Sequence, residues 1–186
     1  MIYNSTGHHN NDSGAVATHD KVLYKENVIA MAFRNGISKR ITSKGYKVIE
    51  DKDSETLSQY LARIKPGSGS VICETHMNAF SKASATGIEI VIPTNYSKEE
   101  YRLASLIAVG LNKITGLTLR NGGTGVITEA KSKRGSLGIM KKEGTVVLIE
   151  LGFISNPNDV KIILAKKDDI CNFVGDCLIL AEDWLS

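Results

Sequence analysis

The stretch GTVVLIEL (residues 144–151) narrows the folds open to this chain more than any other segment. It is apolar and β-branched, too short to span a membrane and too continuous for a half-exposed strand, so both of its faces must be covered. MIYN at the start, YKVIED (46–51), SVICETH (70–76) and GIEIVIP (87–93) read as further short strands. Segments of helical period lie between them. Residues 25–43 place apolar side chains at 28, 29, 32, 33, 37 and 41, and Gly45 follows as a stop. SETLSQYLARIK ends before Pro66-Gly67, and SKEEYRLASLIAVGLNKITG opens on a capping box of Ser97 and Glu100. TGVITE (124–129) suits an edge strand. SNPNDVKIIL starts a helix with Asn156 as N-cap and Pro157 in the first turn, and a last helix runs to about Trp184. This alternation predicts an α/β fold: one domain over residues 1–186, with a mostly parallel twisted sheet of about six strands and helices on both faces. In such sheets ligands gather beyond the carboxyl ends of the strands.

Composition removes several function classes. A net charge of +3 and 6% aromatic residues argue against nucleic acid as a partner. No apolar run approaches the ~20 residues of a membrane span. MIYNSTGHHN has neither a basic n-region nor an apolar h-region, so no signal peptide is expected and the chain is made in the cytoplasm. Cys73, Cys171 and Cys177 are odd in number, lack metal-like spacing and lie in apolar segments, which predicts reduced packing residues. KSKRGSLGIMKK (131–142) carries five cations and no acid. It reads as a solvated loop, or as a patch for an anionic polymer or a carboxylate-bearing ligand.

The polar residues at the predicted strand ends carry the chemistry. The first strand runs into GHHNNDSGA with His8, the strand at 70–76 into His76 and Asn78, and VVLIE into Glu150. Glu26 stands at the start of the first helix, where a carboxylate suits the helix dipole. Two imidazoles and one carboxylate make a tridentate zinc shell with a fourth position open to water, and His8, Glu26 and His76 suit it. Glu150, following four apolar residues, suits a proton acceptor whose pKa burial raises. Each residue also has a structural reading: a hydrogen-bonded strand-end histidine for His8 or His76, a capping or dipole role for Glu26, a paired buried acid for Glu150. Glu74 shares a strand face with His76 and reads as a supporting or strand-edge residue. His9 and His19 read as loop residues, with His9 the competitor of His8.

These same stretches resemble the zinc-dependent N-acetylmuramoyl-L-alanine amidases of the type 3 family. GHHNNDSGA aligns Gly7, His8, Asp12, Gly14 and Ala15 with the family's first-histidine loop, and YKENVIAMA aligns Glu26 with its metal-binding glutamate. ETHMNAF supplies His76, Asn78 and Ala79, and IELGFISNPND matches the catalytic Glu-x-Gly-Phe-x-Ser-Asn segment from Glu150 to Asn156. Departures are His9-Asn10 where two glycines are usual, Ser5-Thr6 before Gly7, and Glu74 in place of a small serine.

The resemblance implies one Zn²⁺ ion on His8, Glu26 and His76, and Glu150 as catalytic base and acid. It also implies hydrolysis of the amide joining the lactyl group of N-acetylmuramic acid to L-alanine in bacterial peptidoglycan. Asn78 is expected to touch the peptide or to orient His76, and a plain turn role fits it equally. A monomer without a separate wall-binding domain is expected, acting on the wall after endolysin-like release or delivery by a phage-type particle. The alternatives are a zinc peptidase cutting within the stem peptide and a non-catalytic wall-binding module.

Overall fold

The structure is a computed structural model that describes residues 1–132 and 134–185. Its elements are β1 (Ile2–Thr6), β2 (Val16–His19), β3 (Val22–Lys25), α1 (Glu26–Ser43), β4 (Val48–Glu50), α2 (Leu57–Arg63), β5 (Val71–Asn78) and β6 (Glu89–Ile92). They continue as α3 (Lys98–Thr115), the short α4 (Arg120–Gly123), β7 (Val126–Thr128), β8 (Thr145–Phe153), α5 (Pro157–Ala165) and α6 (Lys167–Trp184). Six strands form one sheet in the order β4-β1-β5-β8-β6-β7, in which only the β6–β8 pairing is antiparallel. The single-domain, mostly parallel α/β architecture is therefore as expected, with TGVITE at the sheet edge.

The two faces of the sheet are covered unequally. On one, Val71, Cys73, Val147, Ile149, Ile88 and Ile90 pack with Phe33 and Ile37 of α1, Leu103 and Ile107 of α3, and Val174 and Leu178 of α6. On the other, Tyr3, Ile72, Val146 and Leu148 form a smaller cluster with Tyr60 and Ile64, at α2, and with the turn at Ile139 and Met140. That cover stops short of the strands' carboxyl ends, where polar side chains continue the same face. All three cysteines are free and buried, as expected of packing residues.

Local chemistry explains most boundaries. Ser97 accepts from the Glu100 amide and Glu100 from that of Ser97, closing the predicted box, and Gly116 ends α3 at φ 73. Asn156 caps α5 ahead of Pro157. One element departs from expectation. His19, read as a loop residue, ends β2 of the ribbon β2–β3, which turns on Asp20 (φ 49) and Lys21 (φ 66) without the glycine that marks such turns.

A buried ionic network fixes the start of the site loop. Arg34 of α1 holds Asp51 Oδ1 at 2.9 Å, and the Thr6 hydroxyl donates to Asp51 Oδ2 at 3.0 Å. Asp53 binds the same guanidinium, and its carbonyl accepts from the Asn10 amide at 2.9 Å. Arg34→Ala strands Asp51 in the core, so a loss of about 3–5 kcal/mol of stability is expected in denaturant unfolding.

Candidate metal centre

β1 ends at Thr6, and the chain then passes so close to His76 that side chains are excluded. A Cβ on Gly7 would sit 1.9 Å from His76 Cε1. One on Gly14, whose φ is +60°, would lie 2.6 Å from Glu26 Oε2 and 2.7 Å from His8 Cδ2. The loop therefore folds against both rings because two of its residues are glycine. Its end also anchors Glu26, the first residue of α1, where the Ala15 amide donates to Oε2 at 2.8 Å, while the Met77 amide of β5 donates to Oε1 at 3.1 Å.

Glu26 lies between the two imidazoles. His8 Nε2 is 3.3 Å from its Oε2, His76 Nδ1 is 2.9 Å from its Oε1, and the rings meet edge-on with centroids 5.3 Å apart. One donor atom from each of His8, Glu26 and His76 falls within 4.8 Å of the others. Each ring is held again at its outer nitrogen. His8 Nδ1 donates to Asp12 Oδ2 at 2.9 Å, and His76 Nε2 to Glu74 Oε1 at 3.0 Å. Burial works against a charged His76, yet hydrogen bonds to Glu26 and Glu74 push its pKa up to about 10. His8 is raised by its hydrogen bond to Glu26. Burial of Glu26 opposes ionisation, but bonds from His76 and His8 win and hold its carboxyl well below the usual range. The site is built to keep an anion between two nitrogens.

Glu150 belongs to the same face. Its register partner on β5 is His76 and on β6 is Glu89, so three ionisable side chains occupy one rung across three strands. Glu150 is 0% exposed, and neither carboxylate oxygen accepts a hydrogen bond among the described residues. Arg134 Nη2 approaches Oε1 to 2.6 Å as an ion pair without hydrogen-bond alignment. Burial pushes the Glu150 pKa to about 7, against the lowering charges of His76 and Arg134. Beside it opens a cavity of about 600 Å³ whose wall includes Asn78, Glu89, Arg120, Lys131, Arg134 and Phe153.

His8, Glu26 and His76 thus come together, with Glu150 on the neighbouring strand and Asn78 at the cavity wall. Glu74 is not at an edge: it is 2% exposed on a central strand and bonded to His76. His9 stays out of the cluster, its ring accepting from the Asn11 amide at 3.4 Å. His19 ends β2 and binds the Ile154 carbonyl at 2.8 Å. Lys133 of the basic segment lies outside the described residues. Sequence reasoning missed Glu89 and Arg134 as members of the site. The signal for Glu89 was present, because an acid interrupting GIEIVIP is the same anomaly that marks Glu150 in VVLIE.

Known proteins share this arrangement of strands and helices. A candidate N-acetylmuramoyl-L-alanine amidase from Neisseria meningitidis is 26% identical, with a TM-score of 0.76 over 96% of this chain and 93% of that one. The catalytic domain of CwlV, an N-acetylmuramoyl-L-alanine amidase from Bacillus (Paenibacillus) polymyxa var. colistinus, is 18% identical with a TM-score of 0.76, each chain covered over 98%. The catalytic domain of the CD27L endolysin, which targets Clostridia difficile, is 17% identical with a TM-score of 0.71, each chain covered over 96%. No curated protein sequence matches. The family profile of N-acetylmuramoyl-L-alanine amidases matches residues 2–172, nearly the whole chain, and the match takes in His8, Glu26, His76 and Glu150. By that profile the chain belongs to the N-acetylmuramoyl-L-alanine amidase family, whose members hydrolyse peptidoglycan.

Proposed function

We propose that this amidase depends on one zinc ion held by His8, Glu26 and His76, and that it cleaves the amide between the lactyl group of N-acetylmuramic acid and L-alanine. The observation that carries the reading is the convergence of two nitrogens and one carboxylate within 4.8 Å, beside a fully buried acid outside that group. The donor set fits the ion: two imidazoles and an ionised carboxylate form the three-ligand shell of a catalytic zinc site. Zinc bound there supplies a Lewis acid for the lactyl carbonyl and lowers the pKa of a water molecule toward ~7.

The remaining work falls to the chain. Glu150 accepts the proton of the attacking water and returns it to the alanine nitrogen as the amide breaks, a transfer suited to a group at about 7. Asn78, in the wall of the cavity, orients the peptide. Asp12 and Glu74 fix the ring planes so that His8 Nε2 and His76 Nδ1 turn toward Glu26, where the three residues would hold the ion. Glu74→Ser, which restores the family's usual residue, is expected to weaken zinc affinity about 10–100-fold in chelator competition. The single domain acts on bacterial peptidoglycan as a monomer, after endolysin-like release or delivery by a phage-type particle. No described helix is long and apolar enough to cross a membrane.

Mass analysis of digested muropeptides tests the bond. Intact stem peptides with free N-terminal alanine are expected, together with lactyl-bearing muramic acid. Peptides cut internally point instead to a stem-peptide peptidase, and no products at all point to a non-catalytic module.

A further inference from the structure

The cavity beside Glu150 has more positive charge than its own wall can pair. Among its cations, Arg120 is already committed: Nε lies 3.2 Å from Glu89 Oε2, and its guanidinium sits 4.8 Å from the Phe153 ring centroid. Asn121 Nδ2 donates to the same Glu89 oxygen at 3.0 Å, so the one carboxylate of the described wall already holds Arg120 and Asn121. Lys131 makes no ion pair among the described residues. Arg134 reaches inward, with Nη2 at 2.6 Å from Glu150 Oε1 and 3.4 Å from Asn78 Oδ1. Its side chain is still 29% exposed toward the opening.

That contact opposes the role given to Glu150. A guanidinium 2.6 Å from Oε1 blocks the approach of a proton donor to that oxygen and holds the carboxylate by charge alone. A second carboxylate arriving at the partly exposed side of Arg134 offers a planar guanidinium the bidentate partner it prefers. The pairing with Glu150 has no hydrogen-bond alignment to lose.

We propose, resting on the amidase reading above, that this cavity is a carboxylate-recognising subsite for the stem peptide, in which Arg134 leaves Glu150 to pair with a free α-carboxylate of the substrate. The residue after L-alanine is the natural source, since its α-carboxyl is free in some walls and amidated in others. The enzyme then discriminates between the two forms. The acid that binds also releases the catalytic base, and no bond is made or broken in the exchange.

Two measurements test this on the zinc-loaded protein. Calorimetry with L-alanyl-D-isoglutamate and with its isoglutamine counterpart reads the subsite without cleavage. The free acid is expected to bind about tenfold more tightly, as one charge-assisted contact provides, and that preference is expected to vanish in Arg134→Gln. Steady-state cleavage of the corresponding muramoyl dipeptides is expected to show the same preference in kcat/KM, falling to about 1 in Arg134→Gln, a substitution in an exposed loop. Equal binding of the two dipeptides by the parent protein overturns the proposal. So does an Arg134→Gln protein that cleaves both substrates faster to the same extent, because Arg134 is then only an inhibitory latch. If neither substrate is cleaved but the acid still binds preferentially, the subsite stands and the amidase reading fails.

Discussion

Glu150→Gln is expected to lower peptidoglycan hydrolysis by about 10³-fold while zinc stays bound. Glutamine fills the same space at a site 0% exposed, so the core of β8 keeps its packing. What is lost is the only group on that rung able to take a proton and give it back: Glu89 is tied to Arg120 and Asn121, and His76 faces Glu26 and Glu74. The same group sets the acid limb of activity. It must be ionised to accept a proton, and burial holds its pKa at about 7. A cation on His8, Glu26 and His76 favours the ionised form and lowers that midpoint. Activity is therefore expected to fall as pH drops through a midpoint at or below about 7, and a pH–rate profile with a midpoint well above 7 contradicts the assignment.

Chelation is expected to abolish activity and to destabilise the fold. An ion that binds only the native state contributes about 2.7 kcal/mol at a free concentration a hundredfold above its Kd. Without it, the positive charge shared by His8 and His76 compensates Glu26, so the protein remains folded with a lower Tm. Zinc must displace those protons, so its affinity is expected to rise with pH. Gly7→Ala tests the geometry separately. A methyl group 1.9 Å from His76 Cε1 must push the ring or the loop aside. An activity loss of about 100-fold is expected for a displacement of this kind, with helix content by circular dichroism unchanged.

What could be read from the sequence was whatever is local. Apolar runs announced the strands, Ser97 and Glu100 announced α3, and Asn156-Pro157 announced α5. Of the four candidate site residues, His76 and Glu150 were legible because each ends an apolar run, His8 because the first strand runs into its loop, and Glu26 because it opens a helix, and the family motifs connected them. The rest depends on pairing between distant strands. That His76, Glu150 and Glu89 share one rung follows from register, which no single strand encodes. Glu74 could be read as a supporting or a strand-edge residue; its bond to His76 bears out the first, and the second fails because β5 lies inside the sheet, an order that no local reading gives. Arg134 sits in a polar segment with no period, so nothing local aims it at Glu150. The ribbon β2–β3 escaped because its turn uses Asp20-Lys21.

The central claim is that His8, Glu26 and His76 hold one ion and that Glu150 stands apart from it. Elemental analysis of zinc per chain, after dialysis, tests this on the parent protein, Glu26→Gln, His76→Ala and Glu150→Gln. One zinc per chain is predicted in the parent and in Glu150→Gln, and far less than one in Glu26→Gln and His76→Ala. Full zinc in Glu26→Gln and His76→Ala, or its loss in Glu150→Gln alone, would contradict the account.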